Sequence, residues 1–146
     1  MKITKATTAD LTELTKLFDG YRVFYKQKSN LEAAKKFLKE RLEKEESIIL
    51  IALDDDGNGL GFTQLYPTFS SVSMQRFYIL NDLYVLSTLR GQGIGESLLN
   101  AAKALAKANK WKGLALETAT DNPAQKLYER LGWERSDDFY HYFWTC

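Results

Sequence analysis

The densest chemistry lies in LYVLSTLRGQGIGESLL, residues 83–99, where Arg90 precedes glycines at 91, 93 and 95 and an apolar-periodic helix follows. Glycines let a backbone approach a ligand closely, and the helix that follows offers unpaired N–H groups and the positive end of its dipole. That combination suits a phosphate or pyrophosphate, with Arg90 as a cation beside it. Two familiar phosphate loops do not fit. Glu96 stands where the dinucleotide fingerprint needs its third glycine, and no lysine follows these glycines as a Walker loop requires. The same letters also fit a plain glycine-rich turn between strand and helix, so the cluster alone leaves both readings open.

The elements that must hold this loop alternate strands with amphipathic helices. Met1–Lys5 reads as a strand, and Thr8 is expected to cap a helix through Leu11, Leu14, Phe18 and Tyr21. A second helix runs from Leu31 to about Glu45, with Leu31, Ala34, Leu38 and Leu42 on one side. Ser47–Leu53 is an apolar strand, DDDGNG at 54–59 a hairpin turn, and Leu60–Tyr66 the returning strand. Residues 66–71 read as a loop carrying aromatic and hydroxyl groups, and Gln75–Leu86 is a long β-rich run. The glycine cluster then opens a helix to about Asn109, followed by a strand at Leu114–Thr118. A helix over Asn122–Leu131 has Pro123 at its first position, and one or two strands occupy Trp133–Thr145. The order β-α-α-β-β-β-α-β-α-β-β predicts an α/β (α+β) domain with a mixed, mostly antiparallel sheet of about six to seven strands flanked by helices.

Composition narrows the function classes. The 146 residues are 45% hydrophobic and 27% charged, which suits one folded domain spanning the chain. Twenty Lys and Arg against 19 Asp and Glu leave +1, which supports neither nucleic-acid nor membrane-surface binding. Cys146 is the only cysteine, so no internal disulfide forms, and with a single histidine no His/Cys zinc site is expected. The N-terminus lacks a signal-peptide core and no run reaches a membrane span of roughly 18 apolar residues. A cytoplasmic location is expected.

The C-terminal half resembles the GCN5-related N-acetyltransferase (GNAT) family. That family's cofactor motif, Arg/Gln-x-x-Gly-x-Gly/Ala between a strand and a helix, reads here as Arg90, Gly91, Gln92, Gly93, Ile94, Gly95. Roughly thirty residues on, the family carries Asn-x-x-Ala-x-x-Leu-Tyr-x-x-x-Gly-Phe, and here N122-P-A-Q-K-L-Y-E-R-L-G-W133 has the same order of Asn122, Ala124, Leu127, Tyr128 and Gly132, with one residue fewer between Asn122 and the others. Ser87 stands where many members have proline. A looser likeness of LNDLYV and FYHYFW points toward the polyamine and histone-tail acetyltransferases of the Hpa group.

The resemblance implies a single-domain GNAT fold and acetyl-CoA as donor. It places the pyrophosphate on the N–H groups from Gln92 to Glu96 beside Arg90 and Gly91, and the pantetheine arm along Leu83, Tyr84 and Val85. It has Asn122 anchor the arm, the Val85 N–H serve the oxyanion, and Tyr128 protonate the departing thiolate. Tyr128 also belongs to an apolar helical stripe with Ala124, Leu127 and Leu131, so a packing role stays open. Asp82, on the strand entering the cleft, is a candidate base, directly or through water, and a substrate contact. It can equally pair with a lysine or cap a backbone group. Glu117 is a weaker second candidate.

Acceptor recognition is expected from Tyr21, Tyr25, Tyr66, Phe69, Ser70 and Tyr140, because aromatic walls suit a cationic amine. Each of these, and His141, can instead be a packing or surface residue. The predicted activity is acetyl transfer to a primary amine of a small molecule. A peptide or protein-tail acceptor, and a non-catalytic acyl-CoA-sensing domain, stand as alternatives. The aromatic run FYHYFW is suited to pairing or exchanging strands with a second copy, and so to a homodimer.

Overall fold

The computed structural model describes residues 1–146. Its sheet has five strands in the order of the chain: β1 (Lys2–Lys5), β2 (Ile48–Leu53), β3 (Gly59–Ser70), β4 (Gln75–Val85) and β5 (Leu114–Ala115). The first four pair antiparallel, and β5 joins β4 in parallel. Two helices, α1 (Leu11–Phe24) and α2 (Leu31–Glu43), join β1 to β2. Helix α3 (Ile94–Ala108) joins β4 to β5, and α4 (Gln125–Arg130) follows β5.

The run IILIAL of β2 is apolar at every position because both of its faces are covered. Ile49, Ile51 and Leu53 face α1 and α2, where Leu14, Leu17, Phe18 and Leu38 complete one core. Leu50 and Ala52 face α3, where Leu98, Leu99 and Ala102 complete the other. Asp19, buried in α1, binds the next helix from inside the fold: its carboxylate accepts from the Asn30 N–H at 2.8 Å and the Ser29 hydroxyl at 2.6 Å. This clasp fixes the end of α1 relative to the start of α2.

Four local expectations are corrected. Thr7, not Thr8, is the cap: its hydroxyl accepts from the Ala9 N–H at 3.2 Å, and a short 3-10 turn at Thr8–Asp10 leads into α1. Residues 66–70 are strand rather than loop. Pro67 is tolerated there because β2 ends opposite Leu65, so its missing N–H interrupts no β2 ladder. Helix α4 starts at Gln125, so Pro123 lies in the turn before it. No strand forms after Trp133, which leaves five strands against the six to seven expected. Residues 134–146 take part in no backbone–backbone hydrogen bond outside helices and strands, and they belong to neither.

Candidate active site

A cleft of about 710 Å³ opens where β4 and β5 part company. The two strands pair only at Tyr78 with Leu114 and Ile79 with Ala115. Immediately beyond, the β3–β4 register shifts: Gln64 faces Asp82 while Leu65 faces Leu80, which leaves Asn81 as an extra residue in β4. The bulge turns Asn81 toward the cleft, whose walls then include Leu83, Tyr84 and Val85 on one side and Leu116, Glu117 and Thr118 on the other. The start of α3 and the face of α4 close the ends.

The glycine loop is built to leave its amides free. Gly91 and Gly93 have φ of +78° and +80°, a left-handed conformation that disfavours any side chain. The Leu89 N–H donates to Leu86, and the next backbone N–H with a protein acceptor is that of Ser97, to the Gly93 carbonyl at 3.0 Å. Between them the amides at the helix N-terminus have no protein partner, and Gly91, Gly93, Ile94, Gly95 and Glu96 all border the cleft. The donor set fits an anionic phosphate group, and its open backbone leaves room for one. Gln92 is exposed and is not among the residues that line the cleft. Ile94 is buried in the α3 core while it borders the cleft.

Two cations attend the loop. The Arg90 Nε donates to the Val85 carbonyl at 3.2 Å, and its guanidinium lies 5.1 Å from the Phe24 ring and 5.8 Å from the Tyr84 ring. Arg130, on α4, reaches across to the Glu96 carboxylate at 2.9 Å. That pair offsets the negative charge Glu96 would otherwise place beside a phosphate, although both partners are exposed enough for water to weaken it.

Tyr128 borders the cleft from α4 and packs on Trp133, with ring centroids 6.0 Å apart. Burial, reinforced by Tyr25, pushes its phenol above the ordinary tyrosine value, so the group stays protonated at neutral pH. Asn122 also borders the cleft, but its Oδ1 accepts from the Ala124 N–H at 2.9 Å and shapes the approach to α4.

Asp82 sits on the opposite face of the bulged strand, buried and outside the cleft lining. Burial raises its carboxyl above the usual range, while donation from Asn81, Gln64 and Tyr21 holds the rise in check. Asn81 Nδ2 donates at 2.7 Å and Gln64 Nε2 at 2.5 Å, and the Gln64 Oε1 accepts from Ser47 at 2.9 Å. Burial and the nearby Asp82 charge push Tyr66 up to about 12 and raise Tyr21 further.

The structure thus gathers most of the residues singled out in the sequence, though not all. Tyr25 stands at the cleft mouth and Glu117 on its wall, where His141 Nδ1 approaches the Glu117 carboxylate at 3.3 Å. Tyr21 and Tyr66 surround Asp82. Phe69 and Ser70 lie near the far tip of the β3–β4 hairpin, five or more residues along β3 from Gln64, or roughly 16 Å or more. Phe69 there packs under Arg76, 4.6 Å from ring to guanidinium, and Ser70 Oγ accepts from the Ser73 N–H at 3.3 Å. Tyr140 is 89% exposed and borders no part of the cleft.

Phe24, Asn81 and Arg130 were not singled out. Phe24 adjoins Tyr25 and was open to inference from it, whereas the Asn81 bulge leaves no mark in LNDLYV. Arg130 falls one turn from Leu127, on the face the motif already defined.

The acetyltransferase (GNAT) domain family matches residues 45–135. The N-acetyltransferase YhfO of Bacillus subtilis (strain 168) is 52% identical over 143 residues, covering 97% of this chain and 95% of that protein. A probable acetyltransferase of Haemophilus influenzae (strain ATCC 51907 / DSM 11121 / KW20 / Rd) is 31% identical, covering 88% of this chain and 97% of its own length. The crystal structure of a probable acetyltransferase superposes with a TM-score of 0.93 at 41% identity, over 100% of this chain and 98% of that one.

Proposed function

Because this chain belongs to the GCN5-related N-acetyltransferase family and is an acetyltransferase, we propose that acetyl-CoA donates its acetyl group here to the primary amine of a small molecule, a polyamine, amino acid or similar, within one ternary complex. The observation that carries this reading is the row of unpartnered amides at Gly91–Glu96, opening on the same cleft as Tyr128 and the Asn81 bulge. The amides, Arg90 and the start of α3 hold the pyrophosphate. The edges of Leu83–Val85, parted from β5, receive the amide-rich arm, and Asn122 steadies it from the other wall.

Attack by the neutral amine nitrogen forms a C–N bond, and collapse of the tetrahedral intermediate breaks the C–S bond. The Val85 N–H serves the oxyanion. Tyr128 gives its proton to the departing sulfur and recovers one, through water, from the attacking nitrogen as the amide forms. Its raised pKa keeps the proton available but makes it a weaker acid, so transfer accompanies C–S cleavage rather than preceding it. The ammonium must first lose a proton, and Asp82, lifted by burial, supplies the negative potential and accepts that proton through water. Tyr25, Tyr66 and Tyr21 face the cation with their rings, and Glu117 adds a carboxylate at the wall.

No helix is long and apolar enough to cross a membrane. A cytoplasmic setting accords with the lone thiol at Cys146. The exposed aromatic C-terminus supports a homodimer.

The test is thiol release from acetyl-CoA against polyamines, amino acids, aminoglycosides and a lysine-rich peptide, with thermal shift by CoA measured first. Turnover on a small amine is the expected result. Turnover on the peptide alone would reassign the acceptor, and absence of CoA-induced stabilisation would remove acetyl-CoA as donor.

A further inference from the structure

Glycine is a poor helix former, and one sits inside α1 without a backbone reason for it. Gly20 is helical and shows none of the left-handed φ that Gly91 and Gly93 adopt. What it lacks is room for a side chain. A Cβ there would lie 2.8 Å from the Tyr84 hydroxyl oxygen and 3.2 Å and 3.3 Å from Cζ and Cε1 of that ring. Ordinary carbon contacts begin at roughly 3.5 Å. The Tyr84 ring therefore abuts the α1 backbone end-on. Its other end is equally confined, because a Cβ at Gly61, which pairs with Val85, would meet the Tyr84 carbonyl oxygen at 2.7 Å. Tyr21 and Phe62 flank the ring, with centroids at 6.4 Å and 6.5 Å.

Arg90 depends on that ring. It has no carboxylate partner. Its guanidinium group is held by the Val85 carbonyl and by two rings, Phe24 at 5.1 Å and Tyr84 at 5.8 Å. Phe24 stands one helical turn beyond Gly20, on the same face of α1. That face supplies both walls of the clasp, Phe24 directly and Tyr84 through the space left at Gly20. Cation–π attraction reaches only to about 6 Å, so a small displacement of the Tyr84 ring is enough to lose its hold on Arg90.

We propose that Gly20 is a positioning residue for the donor: by letting the Tyr84 hydroxyl abut α1, it keeps the Tyr84 ring within reach of Arg90 and so holds the guanidinium at the glycine loop. Gly20 touches neither donor nor acceptor and acts only through Tyr84. This rests on the reading of Arg90 as the pyrophosphate cation.

Calorimetric titration of the full chain with CoA tests it as a set of double-mutant cycles. Gly20→Ala should weaken CoA about threefold to fivefold, the scale of one exposed cation–π contact. In a Tyr84→Phe background, which removes the oxygen at 2.8 Å, the same change should cost less than about twofold. In an Arg90→Ala background it should again cost less than about twofold, since the cation to be positioned is gone. Thermal melts separate this role from a purely structural one. With Tyr84→Phe in place, Gly20→Ala should raise the transition, because alanine is the better helix former.

An equal loss of CoA affinity in all three backgrounds would overturn the proposal, as would no loss in the wild-type background. If Gly20→Ala alone misfolds, the comparison of Gly20→Ala/Tyr84→Phe with Tyr84→Phe decides, and a loss beyond about twofold there overturns it. A wild-type chain that does not bind CoA would sink the donor reading and this role together. CoA binding without the coupling would sink the role of Gly20 alone.

Discussion

Two polar regions flank β4, and their hydrogen bonding is opposite. On the α1 side, Asp82 is enclosed with its oxygens bonded by Asn81 and Gln64, and Gln64 is in turn bonded by Ser47. On the cleft side, the amides of Gly91–Glu96 have no protein acceptor at all. Buried polar groups left unpaired cost roughly 1–3 kcal/mol each, so a closed network is stable as it stands. An open row of donors at a cleft, kept wet until a ligand arrives, is shaped for something outside the chain. Satisfaction within the chain therefore separates the groups that set the local potential from those that grip.

The comparison can be broken at its gripping side first. Tyr128→Phe removes the proposed acid while leaving the glycine loop intact, so kcat should fall about 100-fold with acetyl-CoA affinity within about twofold. Steady-state rates and titration of the donor check this. If turnover equals wild type across pH, Tyr128 is a packing residue beside Trp133. Next, Gly93→Val forces a β-branched side chain into a φ of +80°, at a strain of about 1–3 kcal/mol. Calorimetry should show CoA binding weakened by at least about tenfold in a chain whose thermal transition is also lower. Equal affinity would sever the loop from the phosphate.

The closed side is sharpened by pH. Asp82 has a folded pKa above its ordinary 3.8, so between those two values the native state holds more protons than the unfolded one. Its contribution to stability is present below the ordinary value and is lost as pH rises through the folded one. Asp82→Asn removes that dependence. Denaturant melts between pH 3 and 8 should show the variant gaining on wild type as pH increases. A constant difference would mean that Asp82 titrates normally. The smallest effect is expected at Phe69→Ala, because that ring lies at the hairpin tip against Arg76. Turnover and Michaelis constants should stay within about twofold, and a large rise in the amine's constant would bring the hairpin tip back to the acceptor site.

What the sequence disclosed follows the range of the forces involved. The glycine loop and α3 are governed by neighbouring residues: Gly93 ends one element, and Leu98, Leu99, Ala102 and Ala106 repeat at helical spacing. Their positions could be read directly. Residues 66–70 could not, because Pro67 disqualifies a strand unless one knows that β2 stops opposite Leu65. The same holds for the C-terminal aromatics, whose strand-like composition needs a partner edge before any strand exists. Asp82 was legible as a candidate but its enclosure was not, since alternation along LNDLYV cannot reveal where an extra residue shifts the register.

That extra residue has an electrostatic consequence. By placing Asn81 in the cleft and Asp82 behind the strand, the bulge makes β4 a partition between a carboxylate on one side and, on the proposed reading, the donor's phosphates on the other. Held on one face, the two would repel through a poorly screened interior. Held on opposite faces, each can attract its own positively charged counterpart, so the proposed amine and donor would approach one carbonyl from separate half-spaces.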